Sequence, residues 1–495
     1  MSLRLGVMRG ALSLGGVNIA ANVLSAGGLL VLARLLTPED FGIVAIATAI
    51  LVLVQSCTEL SLNNALIHKE KVDRSHVDTA WTMALIRSGI ICAIFAVLAW
   101  PLSIAYGNAE LVLVFLVAGV TGAILGLENP HVWLATKQMS FAPLAIAQFL
   151  RRALGIIFAI ALAFMLQSFW AIILGSLAGA IGATFLSYIL VPYRPRLSLA
   201  HVREIWSFSG WMFLSQIFET LNWRADQLIA GLAVSKEQLG IYAMADNVAA
   251  IPSRETVHPI RHALFPGLAN ISNDMERLKA SQQRAQSTIA MLVAPLGVGL
   301  ALVAEPAVAL ALGSQWEGTV IFVQIISIAY IVGTFSIGLQ PLAMSLGNTR
   351  LLFLRNFLAV CVKVPAIMVG FFSAGLLGVA FARLASDVFA ALVEFLFIKR
   401  LIAIGLWRQL ASHWLTVAGL GAMTAAVLTV SAAMPQDGMP LVVDLFARIS
   451  VGAVTYAGTI AAIWFASGRP EGPVAIMFDV LQRIRSSRSQ SALSA

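Results

Sequence analysis

Long apolar runs dominate the chain, and short polar links separate them. Runs such as Leu111–Gly126 and Ile156–Leu166 are continuous, unlike the short alternating strands of an outer-membrane barrel. A bilayer-spanning helix needs about 20 mostly apolar residues, and a backbone surrounded by lipid must pair its polar groups internally. The pattern therefore predicts an all-α integral membrane protein with about fourteen transmembrane helices. They fall at 11–33, 41–60, 79–102, 111–128, 147–166, 168–191, 209–232, 240–264, 286–312, 318–345, 352–372, 376–399, 413–434 and 441–466. The links are too short to hold a sizeable soluble domain. The first run, behind Arg4 and Arg9, exceeds a typical signal-peptide core and reads as an uncleaved span.

Composition supports this picture. Of 495 residues, 59% are hydrophobic and 11% charged, and the mean hydropathy is +0.88. A soluble domain carries about 25% charged residues and would have nowhere to put so much apolar surface. The net charge of +8 reports topology before any nucleic-acid partner. With the N-terminus inside, the inner segments hold Lys69, Lys71 and Arg74; Lys137, Arg151 and Arg152; Arg194, Arg196 and Arg203; Arg277, Lys279 and Arg284; Arg350 and Arg355; Lys399, Arg400 and Arg408; and a basic tail. The outer loops hold only Arg34 and Lys236. This asymmetry predicts two cytoplasmic termini. Trp100, Trp170, Trp316, Trp414 and Trp464 lie near predicted span ends, as an interfacial belt would. Cys57, Cys92 and Cys361 sit in apolar runs without disulfide or metal-ligand spacing.

The chain repeats itself. ARLLTPEDFGIVAIA (33–47) aligns without a gap with GLAVSKEQLGIYAMA (231–245). Each copy links the first and second helices of a six-helix half, so the halves share one orientation, a known transporter plan. The expected organisation is an N-terminal lobe at 1–206, a C-terminal lobe at 207–400, two extra helices at 401–466 and a cytoplasmic tail at 467–495. In the tail, Val474, Met477, Phe478 and Leu481 follow helical spacing ahead of Arg483, Arg485 and Arg488. This reads as an interfacial helix and a Ser-rich disordered end.

Ionisable residues inside predicted spans are the candidate chemistry, because each costs at least about 2.5–3.5 kcal/mol at the bilayer centre. Arg383, Asp387 and Glu394 share one helix face, and Arg383 can pair with Asp387 one turn away. Asn247, Arg254, His258 and Arg261 form a cationic stripe. Glu219, Asn222, Trp223 and Asp226 share a face, while Arg224 points elsewhere with Thr220 and Gln227. Arg87 and Lys363 sit within other spans. Two readings compete: a solvated cavity lined by Arg87, Arg224, Arg254, Arg261, Lys363 and Arg383, or mutual neutralisation inside the C-terminal lobe. A cationic cavity implies an anionic substrate, and the planar arginine fork suits phosphate. Asp226, Asp246 and Asp387 are candidate ion-coupling carboxylates. Asn18, Asn22 and Ser25 read as interhelical glue, Asp444 and Arg448 as a local pair, and Gly122/Gly126 and Gly175/Gly179 as close helix contacts. No Walker loop, HExxH, GxSxG or metal-ligand cluster is present, so neither an enzyme nor a bound cofactor or metal is expected.

Several blocks resemble the polysaccharide transporter (Wzx-type) family of flippases. They are ARLLTPEDFG (33–42) after an Asn-bearing helix, NNALIHKEKVDRSHVDTAW (63–81), LGIYAMA (239–245), LFPGLANI (264–271), LGSQW (312–316) and LGNTR (346–350). The chain departs from the pattern at Ser61-Leu62-Asn63-Asn64, where relatives more often begin with Gly. The resemblance implies membership of the multidrug/oligosaccharidyl-lipid/polysaccharide exporter superfamily, with two six-helix lobes around a central cavity. It implies an inner-membrane protein that moves undecaprenyl-pyrophosphate-linked oligosaccharide units outward by alternating access. A polysaccharide polymerase and chain-length regulator are the implied partners, with the cationic stripes facing the pyrophosphate. An ion-coupled drug exporter of the same superfamily and a membrane-embedded polymerase or ligase are the competing readings.

Overall fold

The computed structural model describes residues 2–59, 72–137, 142–202, 210–434, 440–468 and Val474. Within these residues the chain is helical and has no strand. The helices are α1 (Ser2–Leu35), α2 (Pro38–Thr58), α3 (Arg74–Ala105), α4 (Leu111–Gly126), α5 (Pro130–Lys137), α6 (Ala142–Leu166), α7 (Trp170–Leu190), α8 (Gly210–Ala233), α9 (Lys236–Ala269), α10 (Met275–Leu302), α11 (Ala304–Ala311), α12 (Val320–Phe335), α13 (Leu339–Ser345), α14 (Thr349–Ile402), α15 (Leu406–Ala411), α16 (Trp414–Ala433) and α17 (Leu441–Ala466). Large apolar side chains such as Val97, Phe185, Phe372 and Val454 are exposed. Such a surface belongs in hydrocarbon, and this is an all-α multi-pass membrane protein. The tail pattern after Val474 and the Ser61–Asn64 departure lie outside the described residues.

Elements start and stop for identifiable reasons. Thr37 caps α2 and Pro38 opens it. The Thr37 hydroxyl accepts from the Asp40 N–H at 3.3 Å, and the Asp40 carboxylate accepts from the Thr37 N–H at 2.9 Å. This reciprocal capping box explains the TPED portion of the first sequence block. The other Asp40 oxygen accepts from the buried Phe169 N–H at 2.8 Å, which ties the start of α2 to the entry of α7. Gly375, with φ 57°, breaks α14 after Ala374 into two arms. A Cβ on either Gly370 or Gly378 would collide with the other's carbonyl, so only glycine lets the arms close this tightly. The predicted spans 352–372 and 376–399 are these arms. The predicted spans 286–312 and 318–345 are each interrupted. Val303 separates α10 from α11, and Gly338, with φ 117°, starts α13 against the Gln282 side chain.

By its contacts the chain divides into two compact units, Met1–Ala243 and Met244–Ala495, with the boundary inside α9. The sequence places a lobe boundary at 206/207 instead. The difference arises because α8 packs on α2 within the first unit. In that unit α6 pairs with α7, α3 with α4, and α1 with α6. Gly175 and Gly179 give α7 its close approach to Gly155 and Arg151 on α6. Gly122 and Gly126 abut Leu51 and Ser88. The repeat also acquires a physical meaning here. Gly42 and Gly240 occupy equivalent repeat positions. A Cβ on Gly42 would strike the Lys236 carbonyl, and one on Gly240 would strike the Pro38 carbonyl, the repeat equivalent of Lys236. The contact is reciprocal, backbone against backbone.

In the second unit α10 packs on α12, α12 on α14, and α16 on α17. The tryptophan belt needs correction. Trp100 and Trp414 are exposed at helix ends, whereas Trp316 is fully buried and Trp464 nearly so. Proximity to a span end does not reveal which way a ring faces. The Arg448–Asp444 pair is local, as expected, at 2.6 Å.

Asp40→Ala removes a helix cap and orphans a buried N–H, so it should destabilise the protein by about 2–3 kcal/mol. Thr37→Ala should cost only about 1 kcal/mol. Thermal unfolding in detergent tests the ranking, and equal losses would contradict it.

Candidate functional site

The polar interior of the second unit is built on the folded-back α14. Lys363 and Asp387 each lie twelve positions from Gly375. At 1.5 Å per residue both sit roughly 18 Å from the turn, deep within a hydrocarbon layer about 30 Å thick. Folding the arms together therefore brings them to the same depth. The Lys363 ammonium is 3.7 Å from the Asp387 carboxylate. Arg383 Nη2 is 2.9 Å from Asp246 on α9, and Arg383 Nε lies 3.9 Å from Asp387. Tyr330 on α12 donates its hydroxyl to the same Asp246 oxygen at 2.8 Å, and the Arg383 guanidinium stands 5.0 Å over its ring. Lys363 and Arg383 are each 3% exposed.

Two cations thus meet two carboxylates in one buried network. This is the mutual neutralisation that competes with an open cationic cavity, and it holds for Lys363 and Arg383 in this conformation. The i,i+4 pair expected between Arg383 and Asp387 is present but long. The shorter bond goes to another helix, a partner that spacing along one helix does not reveal. A second pair lies nearer the α14 ends, where Arg355 meets Glu394 at 2.5 Å and Ser336 donates to Glu394 at 2.7 Å. Arg355 was counted with an inner basic segment, at the start of the predicted span 352–372. Its distance from Gly375, twenty residues against nineteen for Glu394, was the available signal. Tyr330 left no such signal, since an aromatic in an apolar run reads as core.

In the first unit several charges contact neutral groups. Arg87 on α3 donates to the Gln55 carbonyl at 3.1 Å and to the Thr58 hydroxyl at 3.3 Å. A cation belongs there, at the C-terminal end of α2. Arg224 donates to Gln227 at 3.0 Å one turn away, while Thr220 bonds Ser56 on α2 at 2.6 Å. Asp226 is fully buried. It accepts from the Tyr242 hydroxyl at 2.8 Å and the Gln227 N–H at 3.0 Å. Arg152, counted with the inner basic charge, lies within α6 and donates to Asn22 on α1, which makes Asn22 an interhelical contact as expected. Arg254 and Arg261 belong to α9, but their side chains lie outside the described residues. Among the described residues no cluster of His, Cys, Asp or Glu is arranged to hold a metal.

This arrangement defines a class: an all-helical, multi-pass membrane protein with buried charge networks. The structure of "Lipid II flippase MurJ, inward closed conformation" superposes with a TM-score of 0.74 at 14% identity, covering 92% of this chain and 100% of its own. An inward-facing multidrug resistance MATE family transporter gives 0.63 at 15% identity, covering 77% and 94%. At these identities the likeness is one of fold. Sequence supplies the family. Residues 31–321, more than half of the chain, match the polysaccharide biosynthesis protein family, and the chain belongs to it. Relatives include the lipopolysaccharide biosynthesis protein WzxC of Escherichia coli, 22% identical over 78% of this chain and 79% of its own length. The succinoglycan biosynthesis transport protein ExoT of Rhizobium meliloti is 25% identical over 58% of each.

Removing one member of a buried ion pair strands its partner, at about 3–5 kcal/mol. Asp246→Asn and Arg383→Met should each lower the unfolding midpoint in detergent. The double variant should recover much of the loss, because no charge is left unmatched. Additive losses would show that the pair is not coupled.

Proposed function

We propose that the protein is a flippase for lipid-linked oligosaccharide repeat units of exopolysaccharide, O-antigen or capsule. It works in the bacterial inner membrane by alternating access, with both termini cytoplasmic. Family membership over residues 31–321 is the observation that carries this reading. The substrate is an undecaprenyl-pyrophosphate-linked oligosaccharide, and its phosphates are the natural target of arginine. A polysaccharide polymerase and a chain-length regulator would act after it.

The charge network suggests a coupling scheme. In the observed conformation Asp246 and Asp387 hold Arg383 and Lys363. A proton or metal cation that neutralises these carboxylates frees the two cations for the substrate's phosphates. Arg87, Arg224, Arg254 and Arg261 complete the cationic lining in this scheme, and Asp226 stays a positioning carboxylate. An ion-coupled small-molecule exporter is the second reading, favoured by the fold shared with a multidrug transporter.

Deleting the gene should trap lipid-linked units on the cytoplasmic leaflet and abolish the polymer. Normal outward units and intact polymer would sink the flippase reading. Gradient-driven efflux of small organic cations by purified protein in liposomes would favour the second reading. Alanine at Arg87, Arg224, Arg254, Arg261, Lys363 or Arg383 should lower flipping at least about tenfold where a phosphate contact is lost, with insertion retained. Wild-type flipping in all six would remove the cationic lining.

A further inference from the structure

One cavity lies away from the charge network. It measures about 370 Å³ and opens between α10, α15, α16 and α17. Its depth follows from the helix ends. The residues Trp414, Leu415 and Thr416 that line it open α16, while Ile463, Trp464 and Ser467 lie at the end of α17. Both helices are apolar and long enough to span a membrane, so the cavity sits at a membrane–water boundary. Its floor is apolar, with Met291 and Leu415 belonging to a cluster with Met423, Tyr456 and Ile460. Its mouth is cationic and polar, with Arg284 on α10, Arg408 on α15 and Ser412 between α15 and α16.

The mouth is held in shape. The Gln409 side chain donates to the Phe395 and Ile404 carbonyls at 3.1 and 3.0 Å, which fastens α15 to the end of α14. Fixed in this way, α15 presents Trp407, 83% exposed, and Leu410 beside Arg408. The buried His413 ring packs edge-on against Phe335 at 5.1 Å and fixes the entry to α16. Beyond the cavity, Val417 and Leu428 on α16 and Val454 and Phe465 on α17 are exposed apolar side chains. A ligand seated here meets two guanidinium groups at headgroup level, tryptophan at the interface and an apolar surface running into the bilayer. That sequence of environments matches one kind of molecule.

We propose that this cavity binds the headgroup of an anionic phospholipid of the phosphatidylglycerol type. Arg284 and Arg408 take the phosphate, Ser412 lies beside it, and the acyl chains lie along α16 and α17. Basic pockets between helices at a membrane surface recognise anionic lipid headgroups by the same chemistry. The bound lipid is a structural ligand, distinct from any transported substrate, and the assignment stands whether or not the protein is a flippase.

Short-chain phosphatidylglycerol titrated against purified protein in detergent should raise the unfolding midpoint. The same phosphatidylcholine should not, and inorganic phosphate should not. In Arg284→Gln/Arg408→Gln the apparent affinity for phosphatidylglycerol should fall about tenfold or more. An equal response to phosphatidylcholine, a response to inorganic phosphate alone, or an unchanged affinity in the double variant would overturn the site. A photo-crosslinking residue at Ser412, with both arginines intact, gives a readout that does not depend on the double variant folding. In mixed vesicles of the two lipids it should capture phosphatidylglycerol preferentially. Capture in proportion to bulk lipid composition would overturn the proposal.

Discussion

A charge in hydrocarbon must be matched, and this constraint shapes the second unit. An isolated ion at the bilayer centre costs several kcal/mol, and attraction at close range offsets that only when geometry is good. The network of Asp246, Arg383, Asp387 and Lys363 meets the requirement by drawing on α9 and both arms of α14. Tyr330 adds a hydroxyl and a ring face from α12. The packing of three helices is thus tied to one electrostatic balance. Any species that changes the charge on one carboxylate alters the whole arrangement.

The α14 turn makes this balance attainable. The break at Ala374 and Gly375 lies midway between Lys363 and Asp387, so registry follows from counting residues. The facing glycines 370 and 378 bring the arms close enough for side chains to meet across them. Glu394 and Arg355 form the next rung toward the α14 ends. The hairpin is a ladder of matched charges.

In the first unit neutral groups share the work. Arg87 donates to a carbonyl and a hydroxyl at a helix end, Asp226 is held by a tyrosine and a backbone amide, and Asp40 joins a cap to a second helix. These are structural roles that also hold polar groups in place within an apolar surround. The reciprocal approach at Gly42 and Gly240 places the two repeat copies against one another at equivalent positions. The sequence repeat thus coincides with a symmetric contact.

Much of this was legible in the chain. Apolar run length determines helices and membrane residence, because lipid leaves the backbone no other way to pair. The repeat is local and was read from spacing; the Thr37–Asp40 cap and the hairpin register, though local or countable, emerged only from the structure. Which charges find each other is neither. Arg383 has an acidic neighbour one turn away yet makes its shorter bond to Asp246, more than a hundred residues distant. Arg355 and Arg152 read only as part of the inner basic charge, yet each finds a partner across a helix contact, Glu394 on the other arm of α14 and Asn22 on α1. Trp316 and Trp464 read as interfacial and are buried, since span ends reveal depth but not the direction a ring faces. The sequence alone determined that this is a helical membrane protein with charges held in its interior. Tertiary structure decided how those charges are partnered, because in a medium of low polarity the nearest opposite charge in space prevails over the nearest in sequence.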